Sequence, residues 1–265
     1  GTAYITATAK DGSGAFARCK VRVVRKVTKI TLNKYTAKLL VGKTLKLKAK
    51  VHPKKATIKS VAWSSSDNSI ATVDASGRVQ GLAAGMVKIR AKAKDGSGKS
   101  AVCLITVSDP IPATGVDVTN NDLIVAKGRQ IQSGITIAPS NSTDKIKYYS
   151  DNPAVARINK RGKIYANRVG QATVYGETSN GQVGYADVLV VTLNRRSLPL
   201  RLYDTETLRV NEISTGVTWH SQNPLIASVD STGKVVGRRR GVTRIYATVR
   251  GLKLSCKVTV SDING

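Results

Sequence analysis

The chain is poor in the residues that carry out most catalytic and metal-binding chemistry. Its 265 residues include two histidines, three cysteines and 16 carboxylates, against 43 lysines and arginines. His52 and His220 stand far apart in the chain, so a His-dependent triad has no sequence support, and alternation beside Trp219 predicts that His220 faces solvent. Both are interpreted as surface histidines. No Gly-rich phosphate loop precedes a helix pattern. The sequence predicts no catalytic residue, no cofactor and no metal site.

Long apolar runs and helical periodicity are also missing. No apolar run approaches the roughly 18 residues of a membrane span, and short alternating segments bounded by turn residues occur instead. TLKLKAKV (44–51) and VKIRAKAK (87–94) alternate apolar and basic residues, which is typical of strands with one buried face. The Asp-Gly-Ser-Gly sequence at 95–98 predicts a hairpin turn. The expected fold class is all-β, with short strands spaced as in a β-sandwich.

One segment of the sequence occurs in three similar copies. AWSSSDNSIATVD (62–74) returns as KYYSDNPAVARIN (147–159) and as TWHSQNPLIASVD (218–230), which indicates one unit copied in tandem. The first 24 residues match 85–108, so 1–25 is predicted to be the last hairpin of a preceding repeat, either truncated, which we favour, or native as a two-stranded extension. The predicted domains are 26–109 (the first), 110–191 (the second) and a shortened third at 192–262.

The two junctions between these domains differ. SDPIPATG (108–115) contains two prolines and a glycine and predicts a stiff, extended connection. Almost nothing separates the second and third domains, since Ala186 precedes Trp219 by 33 residues where Cys103 precedes Tyr148 by 45. We expect a shortened first strand or an abbreviated early hairpin in the third domain, and a tight junction with the second.

The repeated residues resemble a known family. WSSSDNSIATVDASGRVQGLAAG (63–85), followed by a strand, the DGSG turn and AVCLITV (101–107), is similar to the bacterial immunoglobulin-like group 2 domain. The third domain repeats the pattern from Trp219, and the second fits more loosely, with Tyr148 for the tryptophan and Ala186 for the cysteine. The resemblance implies tandem immunoglobulin-like β-sandwiches of bacterial surface or secreted proteins, often stalks or adhesin segments. It implies no catalytic residues.

The cysteines and tryptophans occupy equivalent positions in the repeats. Cys19, Cys103 and Cys256 each alternate with inward valine or isoleucine, so we interpret them as free, buried packing residues and not as a disulfide or a metal site. Trp63 and Trp219 are interpreted as core residues. The loop aspartates are interpreted as turn-forming residues: Asp67, Asp74, Asp95, Asp151 and Asp230. A calcium site near Asp109 and Asp117 is the alternative.

The net charge of +27 is the strongest functional indication. It divides into about +4 before residue 26, then +13, +3 and +7 over the three predicted domains, so the fold itself does not require it. Three interpretations remain open: solvated strand faces, attraction to an anionic envelope or host polymer, or another partner, with nucleic acid disfavoured by the few aromatics. The candidate polyanion-binding residues are Lys46, Lys48, Lys50, Lys88, Arg90, Lys92, Lys94, Arg238, Arg239 and Arg240.

Two functions follow from these patterns. The first is a non-catalytic spacer or adhesin-stalk array, located outside the cell, whose partners are neighbouring repeats of the same chain. The second is a binding module for anionic polymers such as teichoic acid or acidic glycans. The short linkers and the missing catalytic constellation favour the first.

Overall fold

A computed structural model describes residues 1–262, and all regular secondary structure in that range is β. The chain divides into two compact units, one ending at Pro110 and the other beginning at Ile111. Each unit is described by itself. The prediction of an all-β fold without helices is confirmed.

The first unit opens with a hairpin and continues into a sandwich. The hairpin strands are β1 (Thr2–Thr8) and β2 (Phe16–Arg22). The sandwich strands are β3 (Lys29–Leu32), β4 (Thr36–Leu40), β5 (Thr44–Lys46), β6 (Ala49–His52), β7 (Val61–Ser65), β8 (Ala71–Val73), β9 (Arg78–Gly81), β10 (Gly85–Ala93) and β11 (Ser100–Ser108). Sheet β4-β11-β10-β7 encloses one apolar core with sheet β5-β9-β8 and the pair β3-β6. The predicted hairpin turn joins β10 to β11.

The segment 44–51 is not the single strand that its alternation predicts. It forms β5 and β6, which pair with β9 and β3 respectively and are separated by Leu47 and Lys48. Leu47 is fully buried, and the Lys48 amide donates to Asn33 Oδ1 at 2.7 Å. The chain therefore passes from one sheet to another here, because a side-chain amide replaces a strand partner. The inside-outside alternation of the side chains persists through the break.

The prediction of an inward Cys19 is wrong. Hairpin β1–β2 has the register of β10–β11, so that Ile5 faces Cys19 as Ile89 faces Cys103. Ile89 and Cys103 are fully buried, whereas Ile5 is 62% exposed and Cys19 is exposed. The apolar face is the same, but the described residues of the first unit place no second sheet over it.

The second unit contains two sandwiches. The second domain is formed by β12 (Gly115–Val118), β13 (Asp122–Ala126), β14 (Gln130–Gln132), β15 (Ile135–Ala138), β16 (Ile146–Ser150), β17 (Ala156–Ile158), β18 (Lys163–Ala166), β19 (Gly170–Thr178) and β20 (Val183–Val191). The third is formed by β21 (Ser197–Arg201), β22 (Thr205–Thr207), β23 (Thr218–Ser221), β24 (Ala227–Val229), β25 (Lys234–Gly237), β26 (Gly241–Val249) and β27 (Leu252–Ser261). Both repeat the four-stranded and three-stranded sheets of the first domain.

The third domain is shortened at its beginning, as expected. The pairs β3–β6 and β12–β15 of the other domains are represented there by one isolated bridge, between Leu193 and Val210. The Asn194 amide still donates to Arg209 O, as the Asn33 amide donates to Lys48 O. The missing residues are therefore those of the early strand pair, while its anchoring hydrogen bonds are kept.

Strand β20 connects the second and third domains without a linker. Val190 packs in the core of the second domain, and the next residue, Val191, is fully buried in the core of the third. Successive strand residues point to opposite faces, so one strand contributes to both cores. Ile124 and Leu189 pack against the third domain from the same side. The junction is tight, as expected, although the precise limits at 25/26, 109/110 and 191/192 stay predictions.

Candidate functional site: the basic surfaces

The strand pattern predicts the basic residues of the first domain on two different sheets, and the structure places them on three, since β5 and β6 belong to separate sheets. Lys88, Arg90 and Lys92 project from β10, and Lys94 follows the end of that strand. Lys46, Lys48 and Lys50 lie along the segment formed by β5 and β6. All seven side chains are exposed, so they form two separate basic faces. Their charge surrounds the domain and does not converge in one groove.

Few of these charges are neutralised by the protein itself. Among residues 1–262, Arg240 is the one candidate that forms an ion pair, with Asp262 at 3.4 Å, and both side chains are largely exposed. Lys46 Nζ donates to Ser76 Oγ at 2.6 Å. Exposed pairs of this kind contribute about 0–1 kcal/mol. The faces therefore keep most of their positive charge available to an external anion.

Arg238, Arg239 and Arg240 lie on a loop that all three domains build in the same way. The amides of Arg238 and Arg239 donate to Ile226 O, at 2.8 and 3.1 Å. Leu82 and Ala83 bond to Ile70 O in the same manner, and Asn167 and Arg168 bond to Val155 O. The arginine run is thus an addition to a turn that forms without it. Arg238 Nε donates to Ser228 Oγ at 2.9 Å, which positions one guanidinium on the surface.

Four of the five loop aspartates form turns, as predicted, whereas Asp151 Oδ1 accepts a hydrogen bond from the Thr173 amide of β19 at 2.8 Å. Asp74 Oδ1 accepts bonds from the Ser76 hydroxyl and the Ser76 and Arg78 amides, and Asp230 does the same with Thr232 and Lys234. The hydrogen bond from the Ser76 hydroxyl is the main cause that lowers the pKa of Asp74, and that from Thr232 lowers the pKa of Asp230. These carboxylates are engaged by their own turns.

Metal chemistry gains no support from the described residues. In residues 1–262, no three His, Cys, Asp or Glu side chains come close enough to hold a metal ion. Asp109 and Asp117 belong to different compact units, so the calcium site suggested for them stays a prediction.

Two of the three repeated cysteines and both tryptophans act in packing. Cys103 and Cys256 are fully buried, and burial raises the pKa of both thiols, to about 11 for Cys256. Trp63 packs on the first core against Gly77, and Trp219 packs on the third against Gly233. Both indoles are half-buried, with their rings held by these glycines, so they are not free ligand platforms.

The two histidines differ in their exposure, and His220 faces solvent as predicted. His220 is exposed on β23, whereas His52 is half-buried beside β3, with Nε2 3.4 Å from Thr31 Oγ1. His52 is therefore less exposed than His220, because its ring lies beside Thr31 of the neighbouring strand β3.

Two polar surfaces were missed by the sequence reasoning. Tyr149, Tyr175 and Tyr185 face each other across β16, β19 and β20, with ring centroids 5.0 and 6.2 Å apart. A cleft between the second and third domains is lined by Lys127 and Arg129 from one side and by Arg196 and Lys253 from the other. Strand alternation could have indicated the tyrosine face. No local pattern could have indicated the cleft, because its two halves come from distant parts of the chain.

Comparison with known proteins agrees with this architecture. The family model for the bacterial Ig-like domain (group 2) matches residues 26–103 and 112–186. An uncharacterized protein of Clostridium acetobutylicum is 31% identical over 179 residues, covering 63% of this chain and 17% of its own length. An Ig-like virion protein of Serratia phage KSP90 is 30% identical over 171 residues, covering 63% of this chain and 66% of its own. The chain thus spans less than two thirds of either relative.

Solved structures match this chain at low sequence identity and low TM-score. The bacterial integrin-binding protein invasin is 12% identical, with a TM-score of 0.36, over 98% of this chain and 65% of that one. Within residues 1–262, the structure has no helix long and apolar enough to cross a membrane. Because the family model covers more than half of the residues, this chain belongs to the bacterial Ig-like domain (group 2) family.

Proposed function

We propose that this chain is a non-catalytic structural array, which serves as a spacer or adhesin stalk of a bacterial surface or secreted protein. The continuity of β20 into the core of the third domain is the observation that carries this proposal. A spacer must keep a fixed distance between its ends, and it does so best when one module cannot rotate freely on the next. The phage relative is a virion protein, and such a setting is compatible with a structural role.

Three features of the junction oppose rotation of the third domain on the second. Val191 is bonded within the sheet of the second domain and buried in the core of the third. Ile124, Ala126 and Leu189 add apolar contact to the same core. Arg250 Nη1 reaches both carboxylate oxygens of Asp122 at 2.8 Å. The ion pair is exposed and contributes about 0–1 kcal/mol, so the apolar contacts dominate.

Nuclear magnetic resonance tests this proposal directly. We expect residual dipolar couplings from amides of the second and third domains to fit one alignment tensor in the full chain. Tensors of different magnitude for the two domains would contradict a rigid spacer. A screen for hydrolysis or group transfer that found activity dependent on one residue would contradict the non-catalytic assignment.

The second candidate function is binding of anionic polymers by the first domain. Seven exposed basic side chains on two faces, without ion-pair partners among residues 1–262, support it. Charges on open faces act over about 8 Å at physiological salt, so only a dense polyanion would be retained. Teichoic acid and acidic glycans meet this condition, and nucleic acid is less suited because the faces lack aromatic residues for base stacking.

Salt-dependent binding tests the second candidate. The triple variant K46Q/K48Q/K50Q should weaken binding of teichoic acid by about tenfold at about 0.15 M salt. A matched variant of the nearly balanced second domain, K145Q/K160Q/K163Q, should change it by less than about twofold. Binding that is absent, or insensitive to salt, would reject this function.

A further inference from the structure

A cleft with a distinct chemistry lies between the second and third domains. It has a volume of about 470 Å3, within the range of about 300–1,000 Å3 that ligand sites occupy. One wall is the turn that follows β13, and the other comes from residues 192–196 and β27. The floor of the cleft is apolar and consists of Ala126, Leu193 and Leu254. Leu193 and Leu254 are largely buried. We call this the junction cleft.

Every ionisable side chain that lines the junction cleft is basic. Lys127 and Arg129 come from the second domain, and Arg196 and Lys253 come from the third. All four are exposed, and none forms an ion pair with another part of residues 1–262. Lys253 Nζ lies 3.9 Å from the centre of the Tyr246 ring, a cation–π contact that positions its ammonium group. Like charges gathered around a concave surface with apolar walls focus a positive potential within it.

The fold does not require these charges. The turn after β13 is fixed by its backbone: the amides of Lys127, Gly128 and Arg129 donate to Val191 O, Ala166 O and Ala126 O. The same three bonds recur in the other domains, from 41–43 and from 202–204. Those turns have valine and leucine in place of Lys127. At the position of Arg129, the first domain has Lys43 and the third has an aspartate. Lys127, and with it the pair of basic residues, is therefore specific to the one turn that faces another domain within the second unit.

We propose that the junction cleft binds a linear polymer that carries oxyanion groups, either phosphates or carboxylates. Two guanidinium groups offer planar, forked donors that match such oxygens, and two ammonium groups extend the positive surface. Four cations distributed around a cleft of this volume suit successive anionic groups of a chain better than one small ion. Because each domain contributes two cations, the bound polymer bridges the domains. This site is independent of the basic faces of the first domain.

Two pairs of substitutions in the full chain test the proposal. K127Q/R129Q removes the charges of one wall and R196Q/K253Q those of the other. The matched control is K163Q/K234Q, which removes exposed lysines of β18 and β25, outside the cleft but in the same two domains. The probes are fluorescent polyphosphate for phosphate groups, polygalacturonate for carboxylates, and dextran as a neutral polymer. Binding is measured by fluorescence anisotropy at about 0.15 M salt.

We expect each cleft variant to bind polyphosphate or polygalacturonate about tenfold more weakly than the unmodified chain. The control should differ by less than about twofold, and dextran should not bind. Whichever polyanion binds identifies the oxyanion. Unchanged urea unfolding midpoints of the variants, followed by Trp219 fluorescence, establish that they remain folded.

Two outcomes would overturn the proposal. One is that the unmodified chain binds neither polyanion. The other is that the cleft variants bind as the control does. If K46Q/K48Q/K50Q then abolishes binding, the first domain is the polyanion site, so that the second candidate function stands while the junction cleft fails.

Discussion

Val191→Ala is expected to destabilise the third domain, although Val191 belongs to the last strand of the second. Its backbone pairs with Ala126 in the sheet of the second domain, while its side chain is fully buried among residues of the third. The substitution removes two carbon groups, which is worth about 1.6 kcal/mol of burial. The remaining cavity raises the loss to about 2.5 kcal/mol if the junction does not collapse.

The two tryptophans make this prediction measurable. Trp63 reports on the first domain and Trp219 on the third, so a W63F background leaves fluorescence from the third domain alone. With a urea dependence of about 1 kcal/mol per M, the Trp219 midpoint should fall by about 1.5–2.5 M. V107A provides the control, since Val107 is an equally buried strand-end valine in the first domain. In the W63F background V107A should leave the Trp219 transition unchanged, and in a W219F background it should shift the Trp63 transition.

A Trp219 midpoint that does not move in V191A would refute the argument. It would mean that the side chain of Val191 is not part of the core of the third domain, and that the two domains meet without sharing structure. An equal shift in V107A would refute it as well, because the effect would then not be specific to the junction.

Four further predictions concern individual side chains. Gly233→Ala should lower the free energy of unfolding in the Trp219 transition by at least about 3 kcal/mol, because a Cβ at φ 84° would contact Leu208 O and the Trp219 ring. Gly216→Ala, at φ 72° in open space, should lower it by about 1–2 kcal/mol. Equal losses would contradict this prediction. Iodoacetamide should label Cys19 in the folded chain, and Cys103 and Cys256 only in urea. The third domain should also lose stability as the pH rises from about 9 towards 11, since the unfolded Cys256 thiol ionises near 9.0 and the folded thiol near 11, and C256A should remove this component. Asp230, whose pKa is lowered by its turn, should stabilise the folded state above the unfolded pKa of 3.8 and lose that effect as the pH falls below it towards the lowered folded pKa. D230N should flatten this acid dependence, and an unchanged slope would count against the turn as its cause.

Features set by local patterns could be predicted from the sequence. The alternation of 87–94 gave the faces of β10 correctly, because a strand buried on one side needs period two. The recurrence of Trp63, Tyr148 and Trp219 located the same core position in three sandwiches. The shortened start of the third domain could be read from residue spacing alone.

Features that depend on a neighbouring element could not be predicted. Cys19 has the same local pattern as Cys103, but burial of a strand face requires a second sheet, and the described residues place none over the hairpin. The break between β5 and β6 depends on the hydrogen bond that the Lys48 amide donates to Asn33 Oδ1, and sequence periodicity does not predict such a bond. Val190 and Val191 belong to the cores of different domains, so both faces of the strand end are buried. In the sequence this change of core is seen only as a continuous apolar run.

The candidate binding residues also include some that a local pattern predicts and some that it does not. Alternation placed the lysines of the first domain on exposed faces, which the structure confirms. What they bind stays a prediction, because exposure and charge alone do not select a partner. The junction cleft depends on residues 127 and 129 meeting 196 and 253, a proximity that arises only when two domains pack together.

The central claim is that the second and third domains form one rigid body through β20. Double electron–electron resonance tests it most directly, with spin labels on K163C and K234C in a C19A background, where Cys103 and Cys256 stay buried. We expect one narrow distance distribution, which V191D broadens by placing a charge in the shared core. A broad distribution in the chain without V191D would contradict it.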